Sequence, residues 1–554
     1  MDDLETKKLN LEWVTDTIGN DYKNWNKGDI VKIQCQTGTG KTYFIKKVLI
    51  PSMESYERML IVANRINLKR QLKMDLIEYY HATIPTTFEE LDKLTRIGNV
   101  TILSYQTIAE IKNSSNYDKA KIDFSVYDYI VCDECHFFLS DGGFNNKCDL
   151  AWDALITTRH RNAIKIFISA TMQEITKIID LSVDKIHETG FGRSKTCKLH
   201  EYQTGKDYSY LNTKYFTSVK DLAIIIKNDV SKDKWLVFVT RKSDAETIAK
   251  VLEGHKSVAI VTKDTDLAQN EDLQSIIKES KFGCDCLICT KAMDNGINIA
   301  DPEVKNVVVM SWDNISFIQE LGRVRVDITN PLPLNLYIPT MSWSGFNTLM
   351  NKQYKPKEDL IELYSKDIQT FNSRFDRNYN RLPIDIFIKD NKGWQESRVG
   401  LMRLIRDDSF AQRMCAKFNE KEDPDAKQFA YIKCQLSWLG QLDTFSDENL
   451  IEDVIDDEDG QTLASYLETI IGQIMLTTKD RKDLIEHIGL IDSHNSNMKH
   501  HIIKFIKNIT TLNSYILNDL KINYYIKQFP TTQIINGQKK RYKSAWQVLK
   551  LSEV

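Results

Sequence analysis

Short runs of β-branched and aromatic residues recur through the first two thirds of the chain, and each is followed by a longer stretch whose apolar residues return at helical spacing. The first set lies at residues 31–34, 59–63, 100–103, 127–132 and 163–168. Runs that are apolar throughout, separated by helix-length segments, predict parallel strands buried on both faces by crossover helices. The rhythm resumes at 235–239, 257–261, 286–289, 307–310 and 334–338, which predicts a second α/β domain in tandem. Beyond about residue 345 long amphipathic stretches take over, such as 396–418 and 463–476. Apolar positions there follow a period near 3.6, so the C-terminal third is expected to be mostly helical. The boundaries that follow are 1–190, 191–345 and 346–554. Near the C-terminus, Asn536-Gly537 separates the β-leaning run 531–535 from Lys539, Lys540, Arg541, Tyr542 and Lys543, which predicts a hairpin.

Composition narrows the class. The 554 residues are 42% hydrophobic and 27% charged, the balance of a soluble globular protein with room for a large core. Net charge is only -3, so any contact with a polyanion must use local patches. The strongest patch is the stretch from Met498 to Val554, where ten Lys and Arg face two acidic residues. Residues 443–459 carry nine acidic residues with no Lys or Arg, read here as a solvated linker or helix end. Ten cysteines lack the dense spacing of a disulfide scaffold, and the N-terminal segment lacks the apolar core of a secretory signal. An intracellular, reducing, cytoplasmic location is expected. No apolar run approaches the ~18 residues that span a bilayer, so no membrane partner is expected.

The sharpest local feature is QCQTGTGKT, Gln34 to Thr42, between a strand-like and a helix-like run. Gly38 and Gly40, with Thr39 between them, let the backbone curl so that successive N–H groups face a phosphate; Lys41 reaches the β- and γ-phosphates, and Thr42 offers a hydroxyl to Mg²⁺. Cys35 stands where the usual pattern has Gly. Kinases, switch GTPases, transporters and nucleic-acid motors all begin on such a loop. The second half of a nucleotide site is an acidic group at a strand end, and YDYIVCDECH supplies Asp133 and Glu134. Asp133 suits Mg²⁺ and Glu134 suits orienting and deprotonating a water, a pairing better fitted to hydrolysis than to transfer onto a small acceptor.

With these residues in view, the chain resembles the superfamily 2 helicases of the DExH type. GTGKT resembles motif I, Asp133-Glu134-Cys135-His136 motif II, and Ser169-Ala170-Thr171 the coupling motif III. Residues 62–71 resemble motif Ia, 103–108 the Tyr-Gln-containing motif near it, 238–246 motif IV, 289–299 motif V and 317–325 motif VI. The resemblance covers residues 30–340 and implies two tandem RecA-like parallel-sheet domains, with ATP and Mg²⁺ as cofactors. It also implies that Arg323 is a finger reaching the γ-phosphate across a cleft, with Gln319 beside it and Arg325 as a displaced second arginine. Four residues separate Gln319 from Arg323, which shares a face on a helix, whereas Arg325 would lie about 100° from the family's usual position. Gly296 and Asn298 of motif V fall near the nucleotide. Asn64, Arg65, Tyr105, Gln106, Thr107, Thr240, Arg241, Thr290 and Lys291 fall in motifs that line the groove for a single nucleic-acid strand. The Gly-Arg-Val-Arg form at 322–325 is similar to that of herpesvirus origin-binding helicases and related phage and bacterial proteins, which favours DNA over RNA. The C-terminal third lies outside the resemblance and is the expected seat of any protein partner.

Two constellations are declined as sites. Cys284, Cys286 and Cys289 resemble a metal knuckle, but on a strand 284 and 286 face one side and 289 the other, so core packing is expected. His500 and His501 among lysines read as a solvated helix face.

Overall fold

The computed structural model describes residues 8–63, 66–113, 123–141, 148–157, 163–188, 198–262, 265, 275–276, 279–290, 298–375, 385–390, 393–423, 425–451, 463–464, 466–490, 505–535 and 538–551. The chain forms two compact units, Met1–Glu452 and Asp453–Val554.

The first unit holds two sheets. Strands β1 (Ile30–Gln34), β2 (Met59–Val62), β3 (Arg96–Ile97), β4 (Val100–Leu103), β5 (Tyr129–Asp133), β6 (Ile164–Ser169) and β7 (Leu199–Gln203) lie in the order β3-β4-β2-β5-β6-β1-β7. All pairs are parallel except β3 with β4. The central strands are buried on both faces, which explains why their sequences are continuous apolar runs. Along β5, Ile130 and Cys132 enter one hydrophobic cluster and Val131 the opposite one.

The second sheet contains β8 (Leu211–Phe216), β9 (Lys234–Phe238), β10 (Val258–Val261), β11 (Cys286–Cys289), β12 (Val304–Val309) and β13 (Leu334–Pro339), ordered β10-β11-β9-β12-β13-β8 and wholly parallel. The acidic stretch begins in two short turns, Leu442–Thr444 and Asp447–Asn449, and then adds a two-residue edge strand, Leu450–Ile451, which pairs with the free side of β8 before the chain leaves the described residues. Within β11, Cys286 packs on one face and Cys289 on the other. Cys284 precedes the strand and packs with Cys289, not with Cys286, because the alternation of a strand does not extend into the turn before it. All three thiols are buried.

After β13, helices Trp343–Leu349, Lys355–Lys366, Ile368–Phe375, Arg398–Lys417 and Ala426–Leu439 enclose a core around Phe346, Phe371 and Tyr431. The second unit departs from a helical reading. Its three-stranded antiparallel sheet joins Ile474–Met475 to two long strands, Tyr524–Ile535 and Gln538–Lys550. The expected hairpin is therefore longer at its base than the run around residues 531–543 indicated, and its turn, Asn536-Gly537, lies outside the described residues. Among the described residues no helix is long and apolar enough to cross a membrane.

Candidate functional site

Every chemistry-bearing segment of the first sheet sits at the C-terminal end of a parallel strand, the edge where open α/β sheets bind ligands. The phosphate loop follows β1. Gly38 and Gly40 have φ of +93° and +83°, left-handed values that release the loop into the helix beginning at Lys41. Thr39 is fully buried and its hydroxyl donates to the Gln36 carbonyl at 2.7 Å, so its side chain braces the loop. Cys35, beneath the loop, is buried and its thiol is pushed up to about 12 by burial, which keeps it a neutral packing group.

Lys41 and the motif II carboxylates meet directly. Lys41 Nζ lies 2.7 Å from Glu134 Oε1. Burial works against the ammonium charge, but Glu134, with Cys35 and Asp133, outweighs it and holds the Lys41 pKa above the ordinary lysine value. Glu134 adopts φ +49°, a left-handed conformation that costs a non-glycine residue about 1–3 kcal/mol and aims the side chain back toward the loop. Its second oxygen lies 3.3 Å from His136 Nδ1, which lies 3.0 Å from Ser169 Oγ, itself 3.3 Å from Thr171 Oγ1. The polar groups of motifs II and III thus form one buried cluster, in which the same ring nitrogen, His136 Nδ1, hydrogen-bonds Ser169 and lies close to the Glu134 carboxylate. His136 is a member of this cluster to which sequence reasoning assigned no role beyond its place in motif II.

The second lobe closes on the loop through motif VI. Its helix, Asn314–Leu321, is capped by Asp313, whose carboxylate accepts the Ser316 N–H at 3.1 Å. A Cβ added at Gly322 would lie 2.6 Å from Thr37 Oγ1, and one added at Gly38 would lie 3.4 Å from the Val326 carbonyl. The lobes therefore touch across the phosphate loop, and glycine is required at 322 by close approach. Gln319 and Arg323 are both buried at this seam.

The helix ends at Leu321, which corrects the expectation that Gln319, Arg323 and Arg325 share one helix. Arg323 instead lies in the turn that ends the helix, and Val324 leaves it in a parallel bridge with Ile299. Ile299 N–H donates to the Arg323 carbonyl and Arg325 N–H to the Ile299 carbonyl, each at 2.8 Å. Arg325 lies past the end of the helix, so the 100° displacement argued for it does not apply. Arg325 Nη2 donates to Asn298 Oδ1 at 2.7 Å, tying motif VI to motif V.

Of the residues assigned to the strand groove, Gln106 and Thr107 follow β4, Thr240 and Arg241 follow β9, and Thr290 follows β11. Thr240 and Arg241 are exposed, and the other three are half-buried. Tyr105 is not on that surface: it is wholly buried, stacks on Phe137, and donates its hydroxyl to the Asp133 carbonyl at 2.8 Å. It supports motif II from behind. Asn64, Arg65, Lys291 and Gly296 lie outside the described residues.

Sequence reasoning missed three supports. Residues 9–13 strap the seam: Leu9 N–H donates to the Ile328 carbonyl at 3.1 Å, Asn10 N–H to Asp207 at 2.7 Å, and the Trp13 ring lies against Gly40. The Gln36 amide grips both the N–H and the carbonyl of Asp207 in the interlobe connection, at 2.9 and 2.7 Å. Asp149 of the first lobe accepts the N–H groups of Arg398 and Val399 at 2.7 Å each, capping the longest accessory helix. None of these contacts carries a local sequence signature: apart from Trp13 with Gly40, each joins residues more than 150 positions apart.

The family model described as the Type III restriction enzyme res subunit matches residues 5–174, and that described as the helicase conserved C-terminal domain matches residues 216–326. Comparison with curated proteins finds no match. Among solved structures, Dbp5 of S. cerevisiae bound to RNA and ADP BeF3 is 18% identical, covers 58% of this chain and 81% of its own, and has a TM-score of 0.40. A DEAD box protein from Methanococcus jannaschii is 17% identical over 60% of this chain and 87% of its own, with a TM-score of 0.32. The Mycobacterium smegmatis helicase Lhr bound to ssDNA and AMP-PNP is 12% identical over 57% of this chain and 44% of its own, with a TM-score of 0.38. A res-subunit model over the first lobe and a helicase C-terminal model over the second, laid in succession, make the chain a superfamily 2 helicase that hydrolyses ATP.

Proposed function

We propose that the chain is an ATP- and Mg²⁺-dependent motor that moves along a single nucleic-acid strand, with DNA favoured over RNA. One observation carries this reading: motif VI packs against the phosphate loop through Gly322 and Thr37, so hydrolysis is built at a surface that exists only when the lobes are together.

The residues present fit the cofactor. Lys41 is held by an anion, the Glu134 carboxylate, and can exchange it for a phosphate; Thr42 and Asp133 are oxygen donors suited to Mg²⁺. When bound, the metal–nucleotide pair supplies the scissile anhydride and neutralises charge on its oxygens. Glu134, once released from Lys41, orients and deprotonates the attacking water. Arg323 stabilises charge on the transferred phosphoryl group from the opposite lobe, and Gln319 helps position the water. His136, which lies beside Glu134 and hydrogen-bonds Ser169, couples the state of that carboxylate to motif III. Gln106, Thr107, Thr240, Arg241 and Thr290, with Asn64, Arg65 and Lys291, provide sugar-phosphate contacts that carry no sequence information. Opening and closing of the seam then shifts one set of contacts relative to the other.

A second reading is supported by the name of the first matched model: a motor subunit of a larger restriction-type assembly, joined to a protein partner through its C-terminal third and not separating strands. A strand-displacement assay run beside nucleic-acid-stimulated ATP hydrolysis distinguishes the two. Stimulated hydrolysis with displacement is expected; stimulation without displacement favours the assembly subunit. Absence of stimulation by any nucleic acid overturns both.

A further inference from the structure

The second unit carries a charged feature that the motor reading does not use. Its two long strands pair from Tyr524 opposite Lys550 out to Ile535 opposite Gln538. The proximal part is packed: Tyr524, Ile526, Ala545, Trp546 and Val548 are buried, and the third strand pairs with Trp546 and Gln547. Past the irregularity between Phe529 and Thr531, no described residue of the ribbon is buried, and among the described residues no third strand covers it. The distal part is a bare two-stranded ribbon, which has little stability of its own in water.

Its charge is one-sided. No Asp or Glu occurs from Leu520 to Ser552, whereas Lys539, Lys540, Arg541 and Lys543 lie on the distal strand. All four are exposed, and among the described residues none makes an ion pair. Lys540 instead lies 5.5 Å from the Tyr542 ring. At the base the same unit does neutralise cations: Lys550 pairs with Glu468 at 3.0 Å, and Arg481 stacks on Trp546 at 4.7 Å. Lys521 and Lys527 nearer the base are also exposed without an ion pair among the described residues, but the densest run of such cations, four within five residues, lies at the tip.

We propose that this ribbon is an arm that docks in the major groove of duplex DNA. The proposal rests on the nucleic-acid motor reading and adds to it a duplex contact separate from the strand groove. A two-stranded ribbon fits the major groove of B-form DNA, which is about 12 Å wide, and does not fit the deep, narrow major groove of A-form RNA. Strand alternation puts Lys539, Arg541 and Lys543 on one face at intervals of about 6.8 Å, and Lys540 with Tyr542 on the other. A ribbon inserted in the groove therefore presents cations to both phosphate walls. On the opposing strand Thr532 shares the face of Arg541, and Thr531 and Gln533 that of Tyr542 and Lys540, adding uncharged hydrogen-bonding groups to both faces.

The test uses the full chain and a variant combining Lys539→Gln, Lys540→Gln, Arg541→Gln and Lys543→Gln. Binding to a blunt duplex of about 20 base pairs, as DNA and as RNA, is measured across about 50–200 mM salt. Four phosphate contacts at about 0.9 each steepen the salt dependence by up to about 3.6, worth about 10²-fold in affinity over that range. The wild type is expected to bind duplex DNA more tightly than duplex RNA. The variant is expected to lose that preference and the extra slope, with single-strand-stimulated ATP hydrolysis unchanged. A second variant, Thr532→Glu with Gln533→Glu, keeps all four cations and is expected to weaken duplex binding through repulsion. An unchanged salt slope in the first variant, or equal binding of DNA and RNA duplexes by the wild type, overturns the proposal. So does a parallel loss of ATP hydrolysis in the variant. A wild type without stimulated hydrolysis strikes the motor reading instead, and the duplex measurement still decides the arm.

Discussion

Gly322→Ala tests the seam with a single methyl group. The added carbon would stand 2.6 Å from Thr37 Oγ1 and 3.1 Å from the Ile318 carbonyl, where ordinary contact begins at 3.4 Å. The backbone accepts alanine, because Gly322 has φ -69°. The whole effect is therefore steric; the tightest contact, with the Thr37 hydroxyl, is relieved by rotation of that side chain or by parting of the lobes, and a displacement of about 1 Å costs about 10²-fold in rate at a reacting centre. That is about 2.7 kcal/mol of transition-state stabilisation. The expected result is a kcat for ATP lowered about 100-fold with nucleotide affinity little changed, since Lys41 and its loop stay intact. Overpacking at one surface position should cost folding stability no more than about 1–3 kcal/mol. Thr37→Ala removes the opposing oxygen and leaves the 3.4 Å approach to Thr37 Cβ, so the double variant should recover much of the lost turnover. Steady-state hydrolysis under saturating nucleic acid, beside binding of a fluorescent nucleotide, measures both quantities. Wild-type turnover by Gly322→Ala would refute the packing argument.

Other substitutions separate the parts of the site. Glu134→Gln should bind ATP and fail to hydrolyse it, so that nucleotide remains unhydrolysed after filtration of the complex. Tyr105→Phe removes the 2.8 Å bond to the Asp133 carbonyl, and should cost about 1–3 kcal/mol in thermal or denaturant unfolding while leaving single-strand affinity unchanged; weaker strand binding would return Tyr105 to the groove. Asp149→Ala removes the acceptor for two N–H groups of the helix Arg398–Lys417 and should destabilise the first unit by about 0.5–2 kcal/mol, read as a lowered melting temperature with intact ATP affinity.

Much of this architecture is legible in the residue order because buried parallel strands admit little besides apolar residues. Ten strand runs are visible for that reason. The three that escape are β3, β7 and β8: Arg96–Ile97 is only two residues long, Leu199–Gln203 alternates exposed with half-buried positions on a sheet edge, and Leu211–Phe216 carries Asn212, Thr213 and Lys214. The phosphate loop and paired carboxylates are legible because their chemistry requires fixed residue types at fixed spacing. Arg323 and Arg325 were placed on a helix because nothing local announces the break at Gly322, whose backbone is not left-handed and whose role is set by Thr37 across the seam. Tyr105 illustrates the same limit, since its neighbours in sequence fit a surface motif while its ring fills a hole behind Asp133. Periodicity and motif spacing report local requirements, whereas the Gln36 clasp and the Asp149 cap depend on which distant backbone groups folding brings near.

Hydrolysis at a shared seam is tested most directly by Arg323→Ala, measured as nucleic-acid-stimulated ATP turnover together with ATP affinity. The account requires turnover to collapse by about 10³-fold or more while ATP still binds, as expected for an arginine acting only on transition-state charge. Turnover at the wild-type rate would mean that the second lobe contributes no charge to the reaction, and the coupling of fuel to movement would have to be sought elsewhere.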